Sequence, residues 1–484
     1  MKLDCRNLRQ QIKKNFVPDF PSKLIYQGYR PNVSIELHLR YGQKASFNED
    51  SQFYDVLIPK SIKNKAIESG FHKHTPRSPV DESMLKTYQG GPDQNAPVSN
   101  CDLIFDSMFE SGNLDLALQV QPREFNLYLK PDTNTKGYQS WFFFKIKRKP
   151  DAKGKFPRRT YQFNIMNMYK KKILYRQESR PLACNSEILY RGFIMQELEN
   201  VHWKSSQFSN IGYGLVSGQN MSAPMTSNNN NHNDSELEAI KDDTWAPNDA
   251  AQTNNRKQKF YCLAFDYEFL NGQEFTYMAS SIPYPYTFLQ KTIKTCARLD
   301  QSMTTLTRSL GGLQIPMLTI TNEVVNISKK RTVIICGRVH PGETNSSWIL
   351  HGMIDYLISK DAGHLRDSLV FKIVPMINPD GVVAGNYRTS FIGKDLNRQY
   401  LNNDESNNMD EVLKPEISAM KQLIKGCKQD ESKGILAFID VHHHSSKRGA
   451  FMYGPSYQMQ HSKYQEVRVL PKLISMMVPE MFRF

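Results

Sequence analysis

The chain has 484 residues and a net charge of +14, and 39% of its residues are hydrophobic. That length exceeds one ordinary core and points to two domains with polar segments beside them. The basic balance favours acidic partners, while seven scattered cysteines without a C-x-x-C pair argue against a disulfide framework or a thiolate metal site. No apolar run is long enough to cross a bilayer and the opening MKLDCRNLRQ has no apolar signal core, so no membrane partner and a cytoplasmic location are expected.

Residues 1–98 are polar and read as a variable, largely irregular extension, with Val33–Leu39 as a candidate strand. From 99 to 282 short apolar runs alternate with turn residues: Leu103–Phe105, Leu114–Val120, Phe125–Leu129, Trp141–Ile146, Tyr161–Ile165, Tyr261–Phe269 and Phe275–Ala279. This pattern predicts an all-β sandwich, with Pro131–Gly137 as a turn between two strands. Lys145–Arg159 holds eight basic residues and one acid, broken by Pro150, Gly154 and Pro157. It reads as a solvated hairpin loop, and no nucleic-acid motif accompanies it. Residues 205–258, with the run Asn228–Asn231, read as a disordered insertion in which His232 is no ligand.

After residue 283 the rhythm changes. A helix over Thr287–Leu310 precedes strands at Met317–Thr321 and Val333–Val339. Helix Asn345–Ser359, strand Leu369–Pro375, helix Glu411–Ile424 and strand Ile435–Val441 follow. This alternation predicts an α/β domain over 283–484 with a largely parallel sheet, whose sites lie at the carboxyl ends of the strands.

Two of those strand ends carry metal chemistry. Val333–Val339 runs into His340-Pro341-Gly342-Glu343, and Ile435–Val441 runs into His442-His443-His444. A hydrolytic zinc typically takes three His or Glu ligands and keeps a fourth position open, so His340, Glu343 and one His of the triplet would make a set. Between them lie Asn378-Pro379-Asp380-Gly381, Asn386-Tyr387-Arg388 and Asp395-Leu396-Asn397-Arg398. An Arg with a neighbouring Asn can grip a terminal carboxylate, and a second Arg can stabilise an oxyanion; each Arg could equally be a structural ion pair.

The order of these motifs resembles the zinc carboxypeptidases, most closely the cytosolic carboxypeptidase branch that trims glutamates from tubulin. Upstream, Phe109–Leu114, Gln139–Phe144, Phe163–Asn167 and Tyr284–Thr287 are similar to that branch's amino-terminal β-sandwich. The resemblance implies a zinc-carboxypeptidase-like mixed sheet flanked by helices, preceded by an all-β sandwich. It implies one Zn2+ on His340, Glu343 and His442, a carbonyl-polarising Arg388, and a carboxylate clamp of Asn397 and Arg398. His443 departs from the family, which has glycine there.

A second departure concerns the general base, which in the family is a Glu on a later strand. The chain is expected to stop before it, leaving the catalytic domain C-terminally incomplete. Two functions follow as expectations. One is a metallocarboxypeptidase that removes glutamates from acidic protein tails such as tubulin's, with cytoskeletal or ciliary association. The other is an inactive relative that binds such tails.

Overall fold

The computed structural model describes most of residues 101–185, 207–216, 260–296, 302–400 and 413–483, with the backbone of five short strands before residue 59. The first half is built from two sheets. A six-stranded sheet runs in the order Lys23–Gln27, Leu116–Gln121, Glu124–Tyr128, Arg159–Met168, Phe260–Phe269, Phe208–Val216. A four-stranded sheet runs Leu182–Cys184, Phe275–Ala279, Phe143–Arg148, Leu103–Asp106.

Alternation decides which side chains face inward. In Arg159–Met168, Tyr161, Phe163 and Ile165 are buried while Thr160 and Gln162 are not. Phe125, Phe163 and Phe265 from the larger sheet share one core with Phe105, Phe144 and Ile146 from the smaller. Ring centroids of 5.5 Å for Phe105–Phe125 and 6.3 Å for Phe105–Phe163 give the packed aromatic contacts that hold two sheets face to face.

Two segments differ from the sequence expectation. Phe208–Val216 falls inside the span read as an insertion, yet it pairs antiparallel with Phe260–Phe269. Its Phe208, Ile211, Tyr213 and Leu215 are strand formers, masked in a composition reading by the Asn-rich stretch that follows; residues 217–259 lie outside the described residues. Lys23–Gln27, within the expected irregular extension, pairs antiparallel with Leu116–Gln121. The candidate strand at 33–38 lies outside the described residues.

The basic run is engaged locally. Arg148 is buried and donates to the Gln273 and Pro157 carbonyls; Arg158 pairs with Glu268 at 2.7 Å and Arg159 with Asp102 at 2.7 Å.

The second half holds a five-stranded mixed sheet: β1 (Met303–Arg308), β2 (Gln314–Ile320), β3 (Arg331–Gly337), β4 (Leu369–Val374) and β5 (Ile435–Val441), in the order β1-β2-β4-β3-β5. Strands β4, β3 and β5 are mutually parallel, and β1 and β2 run antiparallel. The expected helix Thr287–Leu310 divides into helix α1 (Tyr286–Thr295) and β1. Thr304, Thr305 and Thr307 are β-branched, which favours the extended backbone that β1 adopts. Helix α2 (Thr344–Ile358) buries Leu350, Ile354 and Leu357 against this sheet.

After β4, Pro379–Ala384 forms a short helix, α3. Pro379 stands in its first turn and Asn378 caps it, accepting from Gly381 N at 3.0 Å. Helices α4 (Pro415–Gln429) and α5 (Lys463–Met477) flank the last strand in sequence. Among the described residues β5 is a sheet edge, with Leu436 and Phe438 exposed.

A buried carboxyl pair under β1 gives a stability prediction. Asp380 accepts from Ser309 Oγ at 2.5 Å and Gly311 N at 2.6 Å, and Glu416 accepts from Leu310 N at 3.2 Å. Burial, aided by Asp380, pushes Glu416 up to about 8, and burial pushes Asp380 up to about 6. Acids raised in the folded state stabilise it fully below their unfolded pKa, and that stability is lost as pH rises through the folded value. Denaturant stability is therefore expected to fall as the pH rises from about 4 to 8. Glu416→Gln keeps the acceptor for Leu310 N and should flatten that slope; an unchanged slope would remove the assignment.

Candidate metal centre

The site begins where β3 ends. Arg338 sits at φ 55°, uncommon for a residue with a side chain, and redirects the chain off the strand. Its buried guanidinium donates to Pro341 O (2.7 Å), Tyr284 O (3.0 Å) and Ser347 Oγ (2.9 Å). Burial lowers that group to about 9. Gly342 is required at its position: a Cβ there would lie 2.7 Å from Tyr387 Cδ2 and 3.0 Å from its Cα. The tight turn that results puts His340 and Glu343 side by side.

Strand β5 delivers the third group. Its register places Asp440 beside Cys336 and Val441 beside Gly337, so His442 emerges next to the turn after β3. Glu343 Oε1 lies 2.8 Å from His340 Nδ1, and Glu343 Oε2 lies 2.9 Å from His442 Nδ1. The ligand atoms of the three residues lie within 4.8 Å of one another, so they could hold a metal ion. The expected trio is brought together.

Each imidazole turns its other nitrogen toward a carboxylate. His340 Nε2 is 3.0 Å from Asp395 Oδ1, and His442 Nε2 is 2.8 Å from Asp440 Oδ2. Such partners fix the tautomer and ring orientation of a metal-binding histidine. The charge balance fits a cation. Burial opposes ionisation of Glu343, but the two imidazoles outweigh it and hold the carboxylate well below its usual range. Burial disfavours a charged His442, yet Asp440 and Glu343 outweigh it and push the ring up to about 10. A pocket of carboxylates and imidazoles of this kind suits a divalent ion.

The remaining expected residues lie around this centre. Arg388 Nε and Nη2 are each 2.8 Å from Asp395 Oδ2, which links Arg388 through Asp395 to His340. Asn397 Nδ2 lies 3.4 Å from His442 Nε2, and its backbone N–H donates to Asp395 at 2.9 Å. Arg398, next on the same turn, is exposed. The His443 backbone N–H donates to Glu343 Oε2 at 2.9 Å, while its Nδ1 is buried without a hydrogen-bond partner among the described residues.

Comparison with known proteins agrees with this geometry. Residues 286–483 match the zinc carboxypeptidase model, and residues 105–182 match the cytosolic carboxypeptidase N-terminal domain. Cytosolic carboxypeptidase 2 of Mus musculus is 33% identical over 408 residues, covering 81% of this chain and 39% of that protein. Cytosolic carboxypeptidase 3 of Mus musculus is 31% identical, covering 80% and 34%. The chain belongs to the zinc carboxypeptidase family.

This zinc carboxypeptidase chain spans about two-fifths of the length of the curated relatives it matches. Its fold is shared with a metallo-carboxypeptidase from Burkholderia cenocepacia, at TM-score 0.54 and 17% identity over 79% of this chain and 81% of that one. A metallo-carboxypeptidase from Pseudomonas aeruginosa gives 0.50 and 18% over 78% and 80%. No described helix is long and apolar enough to cross a membrane.

Sequence reasoning left Asp395 and Asp440 without roles, although each stands two residues before a named site residue. That spacing was the available signal. Asp395→Asn is expected to weaken zinc affinity about 10–100-fold, because the amide no longer fixes the His340 ring as an anion does. Competition with a chromophoric chelator measures this; an unchanged zinc affinity would show that Asp395 serves Arg388 alone.

Proposed function

We propose that this chain is the metal-binding core of a zinc-dependent metallocarboxypeptidase that removes glutamates from acidic protein tails, tubulin's among them. In this reading residues 99–282 form a β-sandwich domain, 283–484 belong to the catalytic domain, and the protein works in the cytoplasm, on the cytoskeleton or cilium. The observation that carries it is the convergence of His340 Nδ1, Glu343 and His442 Nδ1 beside the turn of Asn397 and exposed Arg398.

His340, Glu343 and His442 hold the zinc. When bound, zinc supplies Lewis acidity toward a scissile carbonyl and lowers the pKa of a water. In this reading Arg388 donates to the negative charge developing on that carbonyl oxygen. Asn397 and Arg398 hold the terminal carboxylate of the substrate. The net charge of +14 supports an acidic tail as partner.

The test is calorimetric binding of a glutamate-ending peptide to zinc-loaded protein, beside the same peptide with an amidated end. The free acid is expected to bind more than about tenfold tighter. Equal affinities would dismiss recognition of a chain end.

A further inference from the structure

Arg388 depends on a part of the chain that is distant in sequence. Asp132, 1% exposed, sits in the turn between strands Glu124–Tyr128 and Phe143–Arg148. Its two carboxylate oxygens accept from the backbone N–H groups of Tyr387 (2.6 Å), Arg388 (2.7 Å) and Thr389 (2.8 Å), and from Thr389 Oγ1 (3.1 Å). Three consecutive amides aimed at one carboxylate fix the backbone of the residue between them.

The same face of the β region holds the rest of that loop. Thr133 N and Oγ1 each donate to Asn386 Oδ1 at 3.0 Å, and Asn134 Nδ2 donates to Phe391 O at 2.5 Å. On the other flank Ser111 Oγ donates to Val382 O at 2.8 Å, and Asn113 Nδ2 donates to Gly385 O at 3.1 Å. Gly385, at φ 75°, comes so near that a Cβ there would stand 2.4 Å from Gly112 O. Residues 382–391 therefore hang from two turns of the β region. Arg388 reaches from this loop to Asp395, and Asp395 to His340.

We propose that Asp132 is a positioning residue for Arg388, so that the β-sandwich region completes the geometry of the reaction site. This rests on the reading of Arg388 as donor to the developing oxyanion. A donor preorganised for a transition state must be held closely, and a misplacement near 1 Å can cost about 10²-fold.

The test compares two ligands on the zinc-loaded chain. One is a glutamate-ending peptide; the other is its phosphinate analogue, which places a tetrahedral anion at the scissile position. Asp132→Asn keeps the shape but replaces one accepting oxygen with an amide nitrogen that faces donors. Phosphinate affinity is expected to fall about 10–10²-fold. Zinc content and the preference of the ordinary peptide for a free over an amidated end stay unchanged, because His340, Glu343, His442, Asn397 and Arg398 all lie outside residues 382–391. Hydrogen exchange at the Tyr387–Thr389 amides speeds up.

Thr389→Val removes a single donor and should weaken the phosphinate about threefold, which keeps the test available should the asparagine variant fail to fold. Unchanged phosphinate affinity in a folded variant, or equal loss for both ligands, overturns the positioning role. Wild-type protein that binds the phosphinate no better than the ordinary peptide would overturn the functional reading beneath it.

Discussion

Replacing His340 and His442 together by alanine is expected to take the protein from about one zinc per chain to almost none. The two imidazoles supply the Nδ1 atoms 2.8 and 2.9 Å from the Glu343 oxygens, and a single buried carboxylate cannot hold zinc against water. The change also leaves Glu343 without the groups that keep it ionised. A buried carboxylate left with only the His443 N–H as partner costs on the order of 1–3 kcal/mol, so the double variant should melt earlier even without metal. Metal analysis of purified protein decides the matter. Equal zinc in wild type and variant would place the metal elsewhere.

The second large effect is expected at Arg398. Its guanidinium is exposed, one residue from Asn397 and on the turn that Asp395 caps. A bound chain end would desolvate the pair between this Arg and the terminal carboxylate. Loss of such a contact costs about 2–5 kcal/mol, much of it the penalty of leaving the carboxylate unpaired. Arg398→Ala should therefore bind a glutamate-ending peptide at least about tenfold more weakly and lose its preference over the amidated form. A variant that still prefers the free acid would move the clamp to another residue. Zinc content serves as the control, because Arg398 contacts none of the three ligands in the arrangement described.

Much of the site was legible because its parts are local. His340 and Glu343 share one turn, and His442 follows directly on a strand whose apolar run Ile435–Val441 has the observed bounds. The expected set of ligands needed two strand ends of one parallel pair, which the alternation of strand and helix predicts, and the family resemblance to choose His442 within the triplet. Asp395 and Asp440 were in plain view, but the need for a carboxylate behind each imidazole is visible only once ring orientation is known.

Asp132 was beyond reach for a different reason. Pro131-Asp132-Thr133-Asn134 is a turn by composition, and nothing local says that its carboxylate will meet amides 255 residues later. The misread elements have the same origin in competing local signals. Thr304-Thr305-Leu306-Thr307 continued a helical pattern on paper, yet β-branched residues beside β2 settle as its antiparallel partner. Phe208–Val216 was hidden by the polar stretch after it, and its pairing with Phe260–Phe269 is set by long-range register that composition does not carry.

The central claim is a zinc ion held by two imidazoles and a carboxylate, a group that no described cysteine joins. X-ray absorption at the zinc edge of the purified protein tests it most directly. The account predicts first-shell nitrogen and oxygen scattering at roughly 2.0–2.2 Å, with imidazole outer-shell features from two rings. Both should disappear in the His340→Ala/His442→Ala variant. A sulfur shell near 2.3 Å, or an unchanged spectrum in that variant, would contradict it.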